Sequence, residues 1–232
     1  MNKKSFGNKF IAYPYIVWAA IFIIVPLLIM FYFALTDANG VFTLANLASL
    51  GRYKKAFALS IVYAVIATII TLLLAYPMAY FMTKIKVSSQ KMIMLIVMLP
   101  MWTNFLIRTY SWITILANTG IINTFLQKIG LAPVKLINTP GAVILGMVYD
   151  FIPYMILPIY SVMSKIDNSL LEASDDLGAN AFNKFKRVIF PLSRPGVISG
   201  ITMVFVPSVS TFYISQKLGG GKFTLIGDVI EM

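Results

Sequence analysis

The sequence predicts an all-α fold, a polytopic bundle of membrane helices, and three observations carry that prediction. Hydrophobic residues make up 59% of the chain and charged residues 12%, against roughly 45–50% and about 25% in soluble domains. The apolar residues fall in runs long enough to cross a bilayer, which takes about 20 residues because lipid offers no partner to an open backbone. The basic excess, 19 Lys and Arg against 8 Asp and Glu, lies between those runs. There it marks loops at a membrane face and not a nucleic-acid surface.

The first run, Ile11 to Leu35, is free of formal charge and holds Trp18, Phe22, Phe31 and Phe33. Lys3, Lys4 and Lys9 precede it, as in a secretory leader. Its apolar stretch is nevertheless longer than the roughly 7–15 residues of a signal core, and no small-residue cleavage site follows. It reads as a retained helix behind a short cytoplasmic segment, residues 1–10. The second run, Ala56 to Thr83, is uncharged, and the third, Met92 to about Leu116, is interrupted by Arg108. The fourth, Pro140 to Ser164, carries Asp150, and the fifth, Gly196 to about Ser215, is polar in places and contains Pro207. Five spans result, within one transmembrane domain over residues 11–232. Pro77, Pro153, Pro158 and Pro207 each remove a backbone donor and permit kinks, in moving and passive helices alike.

Basic residues in short loops set orientation. With the N-terminus inside, eleven Lys and Arg fall on the inner side and seven on the outer. The tail from Gln216 to Met232, with its Gly219-Gly220-Gly221 run, would then lie outside. A sixth helix is expected beyond Met232. The glycine run lacks the Lys-Ser/Thr ending of a phosphate loop, so the chain is expected to hydrolyse no ATP itself. There is no His and no Cys. That excludes Cys/His zinc sites, disulfides, thiol chemistry and a Ser-His-Asp relay, and no metal site is expected. The 13 Met read as apolar packing.

The inner loop, residues 165–195, is the most informative segment. Asn168 or Ser169 can cap a helix through Glu172 and Ala173, and Gly178 can end it. A second short helix, Ala181 to Ile189, would put Phe182, Phe185 and Ile189 on one face, before Pro191 and Pro195 break it. On physics alone the pair could lie on lipid headgroups or dock into a groove of a cytoplasmic partner. Glu172-Ala173-Ser174, Gly178 and Ile189-Phe190-Pro191-Leu192 resemble the EAA loop of bacterial ABC importer permeases. Ser174 stands where the family has Ala, and Phe190 where it has Leu.

That resemblance implies a type I, MetI-like permease fold of six spans, whose loop forms short coupling helices in a cleft of the ATPase. Glu172 and Ala173 would make the docking contact, Gly178 the turn, and Pro191 the exit. The string Trp102-Thr103-Asn104-Phe105-Leu106-Ile107-Arg108-Thr109-Tyr110 resembles permeases of the spermidine/putrescine importers, as does Val204 to Ser208 with Leu218 to Lys222. The implied assembly contains an ATPase dimer carrying ATP and Mg, a second homologous permease, and an extracytoplasmic polyamine-binding protein. Its place is the bacterial cytoplasmic membrane. Related permeases for ferric iron, sulfate or thiamine stay open as alternatives. An ion-coupled secondary transporter would carry internal repeats and its own coupling charges, and none is visible beyond Arg108 and Asp150.

Intramembrane charge is costly and marks function or pairing. Arg108 can snorkel to an aromatic belt with Trp102, Tyr110 and Trp112, or serve a substrate gate or internal ion pair. Asp150 can be a structural partner, with Arg108 one candidate, or a contact for a polycation in transit, with Tyr149 and Tyr154 offering ring faces.

Overall fold

In the computed structural model, which describes residues 13–37 and 39–231, the first apolar run folds as helix α1, Tyr13–Ala34. The expected N-terminal segment 1–10, Ile11, Ala12 and Met232 lie outside the described residues. The chain divides into two units, Met1–Lys54 and Lys55–Met232.

In the first unit α1 passes through a π-turn at Ala20–Ile24, where the Val25 amide bonds the Ala20 carbonyl. Pro26 follows at once. Proline lacks an amide donor and clashes with the carbonyl four residues back, and the widened turn absorbs both defects. No described residue of α1 is buried. A turn closed by the Thr36–Phe42 bridge and by Asp37, whose carboxylate accepts from the Asn39 and Val41 amides at 2.9 Å each, leads to α2, Ala45–Ser49.

The second unit starts on α3, Lys54–Lys84. Its buried stripe is mostly small residues, Ala56, Ser60, Ala64, Ala67, Thr68, Thr71, Ala75 and Ala79, joined by Tyr63 and Met82, whereas Ile69, Leu73 and Phe81 are exposed. Small residues let backbones approach where lipid supplies no hydrophobic drive between helices. α4, Val87–Trp102, then α5, Phe105–Leu116, and α6, Ile121–Lys128, replace the single third span expected from sequence. The chain turns by 93° between α4 and the α5–α6 segment. Thr103 is extended there, and the Asn104 side chain starts α5 by accepting from the Leu106 amide at 2.8 Å. Among the described residues four helices are long and apolar enough to cross a membrane, five when the bent pair counts as one span.

The fourth run is α7, Pro140–Met163, capped by Thr139. After the inner loop, α10, Phe190–Ser210, is the fifth span; it begins earlier and ends earlier than expected, because Thr211 is extended. α7 and α10 meet through Gly196-Val197-Ile198-Ser199-Gly200, a small-xxx-small motif. A Cβ on Gly196 would lie 2.7 Å from the Pro158 carbonyl, and one on Gly200 would lie 2.6 Å from Met155 Sδ. The tail folds back as α11, Tyr213–Gly219, and α12, Ile226–Glu231, and packs Ile214, Leu218 and Leu225 into the core. The tail from Gln216, whose polar and apolar residues are mixed, thus contributes Leu218 and Leu225 to the core. Gly220, at φ +61°, closes α11 in the left-handed region.

Candidate functional site

Helix α7 links two regions of this unit. Its N-terminal end packs on α11: the Asn138 amide donates to the Leu218 carbonyl at 2.9 Å, and Gly146 faces Ile214 and Leu218. Its C-terminal end leads into the inner loop. Asp150 lies at the seam between two apolar clusters, one including Val143 and Met147, the other Met155, Ile156 and Ile159. There the Arg108 Nη1 stands 3.2 Å from Asp150 Oδ1, the two side chains 12% and 4% exposed. The guanidinium faces the carboxylate, the internal ion pair that the sequence left open.

The pair is close but poorly bonded. Neither Asp150 Oδ1 nor Arg108 Nε or Nη1 reaches hydrogen-bond geometry, although buried polar groups nearly always do. Arg108 also lies 5.7 Å from the centre of the Phe105 ring. Tyr149 meets Trp112 edge-on at 5.3 Å, a second tie between α7 and α5. Tyr154 is exposed, and its ring contact is with Phe151 of its own helix, 6.3 Å away. The structure therefore brings Arg108, Asp150 and Tyr149 to one helix pair and leaves Tyr154 apart.

In the inner loop, α8 covers Asn168–Asp176 and α9 covers Ala181–Lys184. The cap of α8 is Asp167, not Asn168 or Ser169: its carboxylate accepts from the Ser169 amide at 2.9 Å. That bond holds the Asp167 carboxyl below its ordinary range. Glu172 and Ala173 are exposed on α8, whereas Ser174 is buried and donates to the Leu171 carbonyl at 2.7 Å. Gly178 sits at φ +74° with open space where a Cβ would be, and an ion pair between Lys184 and Asp175 ties α9 to α8.

Two details differ from expectation. The segment does not break at Pro191 and Pro195; helix continues from Ala181 to Ser210, and Pro191 stands in the first turn of α10. A π-turn at Phe185–Ile189 makes room for Pro191, as the earlier one does for Pro26. The same turn splits the expected apolar face: Ile189 is buried, Phe185 half-buried, and Phe182 exposed. Leu177, 88% exposed beside Gly178, adds an apolar tip that the sequence reading passed over.

Other contacts had no sequence signal. The Tyr76 hydroxyl meets Ser193 Oγ at 2.8 Å, and its ring packs on Phe185 and Phe190, joining α3 to the root of the inner loop. Tyr160 donates to Gln90 at 2.8 Å. Asp228 is buried and accepts from Ser215 at 2.8 and 2.9 Å and from the Leu225 amide at 2.7 Å, while the Ile226 amide donates to Ser60 of α3. These pairs lie far apart in sequence or in segments of no fixed pattern. The Gly196–Gly200 spacing, by contrast, was readable.

The fold is that of an ABC importer permease. It matches a chain in the crystal structure of a bacterial ABC transporter involved in the import of the acidic polysaccharide alginate, with TM-score 0.70 at 16% identity, covering 99% of this chain and 91% of that one. A chain of the alginate transporter in complex with an alginate pentasaccharide-bound periplasmic protein matches with TM-score 0.65 at 19% identity, covering 92% and 74%. No protein-family model matches the chain. The spermidine/putrescine transport system permease protein PotB of Haemophilus influenzae is 42% identical over 224 residues, 92% of this chain and 78% of its own length. PotB of Escherichia coli K12 is 38% identical over 225 residues, 93% and 82%. The chain belongs to the PotB family of ABC transporter permeases. It is a multi-pass membrane protein.

Proposed function

We propose that the chain is the permease subunit that carries polyamines, spermidine and putrescine, inward through an ATP-driven importer in the bacterial cytoplasmic membrane. The observation that carries this reading is the exposed helical hairpin of α8 and α9, set at the C-terminal end of α7 and turned by Gly178 at φ +74°. It belongs to a chain whose PotB relatives are named for spermidine and putrescine. Glu172 and Ala173, with Leu177 and Phe182 as apolar tips, meet the cleft of one subunit of an ATPase dimer. The Tyr76–Ser193 contact passes the movement of the loop to α3. ATP and Mg belong to the ATPases, and this chain hydrolyses no ATP. A second, homologous permease completes the pathway, and an extracytoplasmic polyamine-binding protein delivers substrate. The N-terminus lies inside, which puts the loop on the ATPase side and α11 on the delivery side.

Asp150 is the one carboxylate in the described length of α7 and draws the polycation into the bundle. The test is co-purification from membranes carrying the whole transporter. ATPase subunits are expected to co-purify with the wild type and to be lost with Glu172→Arg at unchanged permease level. Retention of the ATPases by Glu172→Arg would count against the docking role, and their absence from the wild type against the importer itself.

A further inference from the structure

Two of the chain's own cations occupy groups suited to an alkylammonium ion. The Lys217 Nζ lies 5.8 Å from the centre of the Tyr110 ring and 5.7 Å from that of Tyr213. Tyr213 packs on Phe105 at 5.6 Å, Phe105 carries the Arg108 guanidinium at 5.7 Å, and Arg108 reaches Asp150 at 3.2 Å. The contacts run without a gap from a lysine to a buried carboxylate, by way of ring faces that attract cations within about 6 Å.

We propose that these residues form a track for alkylammonium groups, in which Lys217 and Arg108 are placeholders that an incoming polyamine displaces in turn. The inference rests on the polyamine reading above and assigns it a route. The outer end is open, since Tyr110 is 52% exposed and Lys217 is half-buried. Lys217 ends in a primary ammonium, the same head group that a polyamine carries, so a cage that fits the one fits the other. Among the described residues Lys217 forms no ion pair, and only weak ring contacts hold it.

The inner end is closed and under-satisfied. Asp150 is 4% exposed, yet its Oδ1 accepts no hydrogen bond, and Arg108 Nε and Nη1 donate none. A carboxylate offers several lone-pair positions, and an –NH₃⁺ brings three donors that can point at them. Asp150 follows Pro140 by ten positions on α7, about 15 Å of helix rise. Passage from the cage to the carboxylate therefore moves charge from α11 into the bundle, and each displaced cation keeps the vacated group from being left bare.

A structural reading of the same contacts makes Lys217 a staple between α11 and α5. The two readings differ in sign. Removing a staple weakens the site, and removing a placeholder improves it. The experiment is equilibrium binding of radiolabelled spermidine to the reconstituted complex of both permeases and the ATPases, with the binding protein omitted. Uptake by the complete importer is measured in parallel.

Lys217→Gln is expected to tighten binding about 3- to 5-fold, the worth of an exposed cation–π competitor. Asp150→Asn is expected to loosen it about tenfold or more by removing the charge-assisted bonds. Unchanged or weakened binding by Lys217→Gln, or no binding by a wild-type complex that does take up spermidine, would overturn the track alone. A complete importer that does not take up spermidine would overturn the polyamine reading and the track with it.

Discussion

Replacing Gly196 by Ala adds one carbon at the closest approach of α7 and α10. That Cβ would lie 2.7 Å from the Pro158 carbonyl oxygen, 3.0 Å from Ile159 Cα and 3.1 Å from Val162 Cβ. Carbon contacts are comfortable near 3.5–4.0 Å, and two of these neighbours are backbone, which cannot rotate away. Relief requires the helices to separate by about 0.5–1 Å, which loosens Met155 and Ile159 against Val197 and Val204. Overpacking of this kind costs about 1–3 kcal/mol. Ala also recovers roughly 0.5–1 kcal/mol of glycine's backbone entropy, so a net loss of up to about 2.5 kcal/mol remains. Gly141→Ala is the matched control, because its Cβ would meet Thr139 Oγ1 at an ordinary 3.8 Å. The assay is thermal loss of the monodisperse complex in detergent. Gly196→Ala should melt below the wild type, and Gly141→Ala at or above it. Equal melting of the two variants would refute the reasoning that this interface is set by glycine.

Three further outcomes follow from the same geometry. Gly178→Val puts a β-branched residue at φ +74°, a strain of about 1–2 kcal/mol, and is expected to lower uptake per ATP hydrolysed without reducing permease in the membrane; normal coupling would contradict the role of that turn. Tyr76→Phe removes the bond to Ser193 at 2.8 Å, worth about 0.5–1.5 kcal/mol, and should raise ATP consumed per spermidine transported; an unchanged ratio would remove Tyr76 from the coupling route. Asp228→Ala strips acceptors from Ser215 and the Leu225 amide, at about 1.5–3 kcal/mol for bonds to a charged group. Protease cleavage near Phe223 should then accelerate, and wild-type resistance would show that α12 is held by other means.

The spans were legible because lipid imposes one crude requirement, a long run of apolar residues, and α1, α3 and α7 meet it. The bend in the third run was not legible because apolar content is blind to direction: Thr103 and Asn104 turn the chain by 93° while the run continues. The packing of the tail was hidden for a different reason. Its polar residues satisfy one another, as Asp228 does with Ser215, and so enter a core that composition alone assigns to solvent. In the inner loop the glycine turn was readable, since Gly178 needs the left-handed region. The uninterrupted passage through Pro191 was not, because a π-turn is a tertiary accommodation that sequence does not announce. Arg108 and Asp150 were each conspicuous as membrane charges, but their 3.2 Å approach depends on how α5 lies against α7.

The central claim is that ATP hydrolysis by separate subunits, coupled through the loop of α8 and α9, drives polyamines through this chain. Its most direct measurement is spermidine uptake into proteoliposomes holding both permeases, the ATPases and the binding protein, with ATP on the ATPase side. The account predicts uptake that requires ATP hydrolysis, persists when proton and sodium gradients are collapsed, and fails with Glu172→Arg although the complex remains in the bilayer. Uptake without ATP, driven by an ion gradient and indifferent to Glu172, would contradict it.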